Sequence, residues 1–214
     1  MTADRLLEGV YVPVITPFAA DGSVAIDALE QLCQRYLDAG CSGIVALGTT
    51  GEPSALDAAE QRAVVDVCAR ACDAGRVQLI VGAGTNSTAT TITAVEALCD
   101  IPALAATLIV VPYYVRPSEA GIVEHFKAVA AASPVPVVIY NIPSRTGRNL
   151  SSAGVLELAR TPNVTGIKQA HDTLDADTLR ILAGAPPRGA GVLRRAQPGG
   201  VQGCVARAGP DPHP

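Results

Sequence analysis

Val164-Thr165-Gly166-Ile167-Lys168-Gln169-Ala170 reads as a short apolar strand that ends in a lysine. A strand of this kind, set between helical segments, is buried on both faces. Lysine is rarely buried without a partner or a task. Burial disfavours the ammonium form and lowers the pKa, which gives a neutral amine near pH 7. A neutral amine attacks carbonyls and forms Schiff bases. The plainer alternative is a strand-end lysine whose head reaches solvent.

Other polar groups follow apolar runs in the same way. Gly48-Thr49-Thr50-Gly51-Glu52 has glycines that let the backbone bend closely, and N–H groups and hydroxyls suited to a carboxylate. It lacks the Lys-Ser/Thr of a phosphate loop, and an ordinary βα turn is the alternative. Gly82-Ala83-Gly84 looks like the opening of a dinucleotide fingerprint, but Ser87 stands where the third glycine belongs, so nicotinamide binding is not expected. Tyr113 and Tyr114 follow one run and Tyr140 ends the next. Phenols at a strand edge relay protons, although a tyrosine in the core is commoner. Arg145, in Pro143-Ser144-Arg145-Thr146-Gly147, can grip a carboxylate bidentately, with a surface ion pair as the alternative. His125 and His171 fall on presumed helices and read as exposed or structural. No Ser-His-Asp arrangement or metal-ligating cluster stands out.

These groups need elements to hold them. Apolar runs at Val10–Thr16, Gly43–Leu47, Val77–Val81, Ala106–Val111, Val135–Tyr140 and Val164–Lys168 alternate with segments of helical periodicity. Asp57 with Glu60 forms a capping-box pattern, Ser118 opens a helix reaching about Ala132, and Ser151 or Ser152 caps the next. After Lys168 a helix is expected over Asp172–Leu182, and Ile181–Gly184 is a candidate opening of a seventh strand. The spacing of about 30 residues is that of a βα unit, which predicts a parallel sheet, doubly wound or closed into a barrel. A (β/α)8 barrel takes about 250 residues. With 214, this chain is read as an incomplete TIM-type barrel of about six βα units and the start of a seventh.

The composition suits one core-rich domain: 49% of residues are apolar and only 17% charged. A net charge of −4 argues against a nucleic-acid partner. No signal peptide or membrane span is read. The six cysteines mostly sit in apolar helical segments and look like small buried hydrophobes, which fits a reducing cytoplasm. Cys68 and Cys72 are one helical turn apart, but nothing nearby completes a zinc quartet.

Residues 185–214 differ from the partial barrel of 1–184. Proline and glycine make up twelve of the thirty, and four arginines face a single acid, Asp211. That composition predicts disorder. It is also what GC-rich codons yield in the wrong frame, so the expectation is a frameshift product in place of the natural C-terminal part. A flexible functional tail is the alternative.

Taken together, Tyr11–Phe18, Gly48–Glu52, Pro112-Tyr113-Tyr114, Tyr140–Gly147 and Gly166-Ile167-Lys168 resemble the dihydrodipicolinate synthase/N-acetylneuraminate lyase family of class I aldolases. The resemblance covers about residues 6–184. The arginine in Tyr140–Gly147 is most like the synthase branch. The resemblance implies a (β/α)8 barrel with a helical C-terminal subdomain, commonly in a homotetramer, with no metal or organic cofactor. It implies a Schiff base between Lys168 and pyruvate. Thr50 would hold the pyruvate carboxylate, and Thr49, Tyr140 and Tyr114 would relay protons, Tyr114 in the site of a neighbouring subunit. Arg145 would bind the carboxylate of L-aspartate 4-semialdehyde, at the branch point of lysine biosynthesis. The alternatives are a pyruvate aldolase acting on sugar acids and a truncated fragment without activity.

Two features depart from the family pattern. Nothing in the sequence corresponds to strands seven and eight, which would leave strand edges and core exposed. Asn86 and Tyr113 match the family's lysine feedback site, but Pro53, Ala58, Gln61 and Thr90 do not, so feedback inhibition by lysine is not expected.

Overall fold

The computed structural model describes residues 7–171, 173–184, 191–194 and 204–206. In chain order these form β1 (Gly9–Pro13), α1 (Ile26–Asp38), β2 (Gly43–Ala46), α2 (Ala58–Gly75), β3 (Gln78–Gly82), α3 (Thr88–Glu96), β4 (Leu104–Val110) and α4 (Glu119–Ala132). They continue with β5 (Val137–Asn141), the single turn α5 (Pro143–Thr146), α6 (Ser152–Leu158), β6 (Val164–Gln169), α7 (Ala176–Gly184), β7 (Gly191–Arg194) and β8 (Cys204–Ala206).

Strands β1 to β7 pair in parallel with their chain neighbours, in one sheet of order β7-β6-β5-β4-β3-β2-β1-β8. The sheet curls, and β7 and β8 approach each other without sharing a ladder. This is an incomplete barrel of the TIM type. Parity along the strands sorts the core. Tyr11, Val45, Ile80, Leu108, Val138 and Tyr140 fill the barrel interior. Their neighbours face outward: Ile44, Leu79 and Val81 meet α2, while Ile109, Ile139 and Ile167 meet α4 and α6. Two apolar layers around one sheet are what a parallel strand buried on both faces requires.

Local chemistry sets the helix starts. Asp57 and Glu60 form the reciprocal capping box at α2, at 2.8 and 2.9 Å. Ser87, Ser118 and Ser151 cap α3, α4 and α6, each accepting a backbone N–H three residues on. Cys33, Cys68 and Cys72 are buried where α1 meets α2.

Three expectations are corrected. Ile181–Gly184 does not open a strand but ends α7, because that helix starts later than Asp172. The carboxylate of Asp175 accepts from the Thr178 N–H at 2.8 Å and from its hydroxyl at 2.7 Å, which fixes the first turn there. The places beside β6 and β1 are not vacant. β7 pairs with β6 in the register Gly166↔Gly191 and Lys168↔Leu193, and β8 pairs antiparallel with β1. Both strands lie in 185–214; the rest of that stretch, on which the expectation of disorder falls, is outside the described residues. His125, read as exposed or structural, is the latter, 4% accessible and packed inside α4, whereas His171 lies ahead of α7 and not on a helix.

Candidate active site

The C-terminal ends of parallel strands share one edge, and polar side chains collect there. Lys168 lies on the inward parity of β6 and is 7% exposed. Its register partner across the ladder is Tyr140 of β5, itself 5% exposed. The Lys168 Nζ stands 4.3 Å from the centroid of the Tyr140 ring. Thr49 Oγ1 lies 3.4 Å from the Tyr140 hydroxyl, a long contact that closer approach would tighten. Among the described residues no carboxylate forms an ion pair with Lys168.

The Thr49 turn is shaped by close backbone packing. Thr49–Gly51 is a turn of 3-10 helix, flanked by Leu47 at φ 51° and Glu52 at φ 50°. Thr16, buried after β1, donates its hydroxyl to the Gly51 carbonyl at 2.7 Å. A Cβ on Gly82 would fall 2.2 Å from the Leu47 carbonyl oxygen, and one on Gly84 would fall 2.5 Å from the Val110 nitrogen. These two glycines serve strand-end packing, which accounts for the Gly-Ala-Gly without a dinucleotide. Thr50 is half-buried on the same turn.

Tyr114 and Arg145 occupy the loops after β4 and β5 at this edge, and both are exposed, Tyr114 to 87%. Tyr114 and Arg116 have left-handed backbones, at φ 69° and 46°. Arg148 donates to the Arg116 carbonyl at 3.0 Å, and the Arg116 side chain lies against Gly147. Three arginines therefore border the edge, none with an acidic partner among the described residues. Such an edge favours anionic molecules. The structure thus brings Lys168, Tyr140 and Thr49 together and places Thr50, Tyr114 and Arg145 around the same rim.

Sequence reasoning gave no role to Asn141 and Gln169, which pair side chain to side chain directly behind Tyr140 and Lys168. The available signal was two amides at the outward parity of strands that are otherwise apolar there. Thr16 was part of a recognised stretch, but its hold on Gly51 depends on a fold contact that spacing does not show. Gln61 donates to the Pro53 and Leu56 carbonyls at 2.9 and 3.3 Å, so its amide serves the local backbone. His125 Nδ1 pairs with the Thr88 hydroxyl at 2.9 Å, and burial pushes this imidazole down to about 4. Tyr11, deep in the barrel, has its phenol pushed up to about 12, chiefly by burial. No group of three or more His, Cys, Asp or Glu positioned for a metal ion occurs among the described residues.

Fold and site define a parallel α/β barrel whose strand-end edge is centred on a buried primary amine. Residues 6–188 match the model of the dihydrodipicolinate synthetase family, and the chain belongs to that family. It is 39% identical over 211 residues to 4-hydroxy-tetrahydrodipicolinate synthase of Halorhodospira halophila, covering 91% of this chain and 68% of that one. To the synthase of Moorella thermoacetica it is 42% identical over 179 residues, covering 83% and 60%. The chain thus spans about two thirds of the length of these curated relatives or less. Among solved structures it resembles dihydrodipicolinate synthase of Aquifex aeolicus, with TM-score 0.82 and 33% identity over 88% of this chain and 63% of that one. It is equally similar to the chloride-inhibited dihydrodipicolinate synthase of Acinetobacter baumannii complexed with pyruvate, with TM-score 0.82, 36% identity, and coverage of 88% and 63%.

Proposed function

We propose that this chain is a lysine Schiff-base aldolase that condenses pyruvate with L-aspartate 4-semialdehyde, the step of 4-hydroxy-tetrahydrodipicolinate synthase. The observation that carries the reading is the buried Lys168 amine over the Tyr140 ring, with Thr49 at the Tyr140 hydroxyl. The pyruvate in the Acinetobacter baumannii relative supports the substrate.

In this reading the Lys168 amine adds to C2 of pyruvate, and loss of water leaves an iminium. Tyr140, relayed through Thr49 and a neighbouring subunit's Tyr114, delivers the proton with which the hydroxyl departs as water. The iminium withdraws electrons, so the methyl carbon gives up a proton and becomes an enamine. The enamine carbon bonds to the aldehyde carbon, whose oxygen takes a proton. The substrate's own amine then attacks the iminium carbon, closes the ring and releases Lys168. Thr50 holds the pyruvate carboxylate and Arg145 that of the semialdehyde. Arg145, suited to a carboxylate on the aldehyde partner, favours the semialdehyde over an aldolase acting on sugar acids. The chain works as an oligomer, a homotetramer on the family pattern, in the cytoplasm. No helix among the described residues is long and apolar enough to cross a membrane.

Borohydride reduction in the presence of pyruvate, read by mass spectrometry, tests the reading. The expected result is a reduced pyruvate adduct on Lys168. A folded sample that gives no adduct there would refute it.

A further inference from the structure

Asn141 ends β5 with its side chain on the outward parity, away from the barrel interior, and is fully buried. Its Nδ2 donates to Asn149 Oδ1 at 2.9 Å, to Gln169 Oε1 at 3.0 Å and to the Leu150 carbonyl at 3.3 Å. Two hydrogens serve three acceptors, so one bond is shared. Its Oδ1 accepts from the Leu150 N–H at 3.2 Å. Gln169 follows Lys168 and is the register partner of Asn141, as Lys168 is of Tyr140. Asn149 and Leu150 close the loop that begins at Ile142 and carries Arg145.

That loop holds its own shape by internal bonds. The N–H groups of Arg145 and Thr146 donate to the Ile142 carbonyl, and the Thr146 hydroxyl reaches the carbonyls of Ile142 and Arg148. None of these fixes the turn against β6. Ile142, the residue before α5, supplies no side-chain cap. Asn141 is the buried polar tie, among the described residues, between the loop's far end and the strand that bears the amine, beside the apolar packing of Leu150 in the cluster that holds Ile167. The exposed bond from Arg148 to Arg116 leads to another loop instead.

We propose that Asn141 is a positioning residue: through Gln169 on one side and Leu150 on the other, it sets where Arg145 stands relative to the Lys168 amine. The inference rests on the reading above, in which Arg145 receives the carboxylate of the aldehyde. Asn141 touches neither substrate. It fixes the distance between the enamine and the aldehyde, a quantity to which bimolecular steps in a site are sensitive.

The test uses the full chain and its Asn141→Ala, Asn149→Ala and Arg145→Ala variants. Hydrogen exchange read by mass spectrometry needs no chemistry. Asn141→Ala is expected to speed exchange over residues 143–150 by about tenfold while β4 and β5 stay as protected as before. Unchanged exchange over 143–150 would overturn the tether. In steady-state kinetics Asn141→Ala is expected to raise the KM for L-aspartate 4-semialdehyde about tenfold, leaving the pyruvate KM and the borohydride-trapped fraction unchanged. In the Arg145→Ala background it adds less than about twofold, because it acts through that arginine. An equal rise in both KM values, or full additivity with Arg145→Ala, would overturn the assignment. Should Asn141→Ala not fold, Asn149→Ala, at an exposed site, shifts the aldehyde KM about threefold in the same non-additive way, and its full additivity counts equally against the proposal. A wild-type chain that traps no pyruvate refutes the reaction instead, and the exchange result then decides the tether alone.

Discussion

The Lys168 Nζ sits 4.3 Å from the centre of the Tyr140 ring, and the two residues face each other across the β5–β6 ladder. Paired residues on neighbouring strands cannot drift apart without breaking that ladder, so the amine and the phenol keep a fixed spacing. Their tasks separate under mutation. Lys168→Ala should abolish the borohydride-trapped pyruvate adduct. Tyr140→Phe should still give the adduct, since the amine is intact, but turnover should fall about a hundredfold or more for want of the proton carrier. Mass spectrometry of the trapped protein beside a coupled assay checks both, and a Tyr140→Phe variant of normal turnover would remove the phenol from the mechanism.

Gly82 holds the Thr49 turn by being small. A Cβ there would lie 2.2 Å from the Leu47 carbonyl oxygen and 2.8 Å from its carbon, and backbone cannot swing aside as a side-chain tip can. Gly82→Ala should cost about 3 kcal/mol, the upper part of the overpacking range. It should also pull Thr49 from the Tyr140 hydroxyl. Gly48→Ala is the control: its nearest neighbour would be Val45 Cγ1 at 3.6 Å and its backbone is extended, at φ −69° and ψ 175°. That change should leave stability unchanged or raise it by under about 1 kcal/mol. Urea midpoints of the two variants measure the contrast, and equal losses would show that the close approach is not what constrains position 82.

Much of this was legible in the order of residues because parallel strands and capped helices write themselves locally. The alternation of β2 to β6 with helices follows from apolar runs, and Asp57, Ser118 and Ser151 mark helix starts by an oxygen three residues ahead of a free N–H. Lys168 stood out for a similar reason, as a charge at the end of an apolar strand. What was not legible depends on distant parts of the chain meeting. The helix after β6 begins beyond Asp175 rather than at Asp172, because Asp175 satisfies the Thr178 N–H, and the expected seventh strand moved with it. β7 and β8 belong to a stretch rich in proline and glycine, and they pair with β6 and β1. The Asn141 tether joins residues 28 apart in sequence, which no motif spacing announces.

His125 gives the stability a pH dependence opposite in cause to that of a salt-bridged histidine. Burial depresses its pKa from 6.5 to about 4. Between those values the unfolded chain binds a proton that the folded chain refuses, so stability rises with pH across the window and is lost as pH falls from about 6.5 to 4. The loss amounts to about 3 kcal/mol. His125→Gln removes the titrating group, and its stability should fall less over the same range. Carboxylates such as Asp175 are common to both proteins and cancel in the comparison. Urea titrations at pH 7 and pH 4 provide the test; parallel losses in the two proteins would mean that the imidazole is not the cause.

Tyr114 is 87% exposed and holds a left-handed backbone at φ 69°, a conformation that costs a residue other than glycine about 1–2 kcal/mol. Tyr114→Gly relieves the strain but frees the unfolded chain by about 1 kcal/mol, and no buried contact is lost. Its stability should therefore change by less than about 0.5 kcal/mol. Turnover should drop at least tenfold if the phenol completes a proton relay. In the proposed reading the relay that this exposed ring joins is that of a neighbouring copy. Mixing settles this. Tyr114→Gly chains keep their lysine, and Lys168→Ala chains keep their tyrosine. Where two copies exchange tyrosines across a two-fold interface, half of randomly mixed pairs are hybrids with one competent site of two. Unfolding and reassembling an equal mixture should then restore about a quarter of wild-type activity. A mixture as inactive as its parents would place the tyrosine outside any shared site.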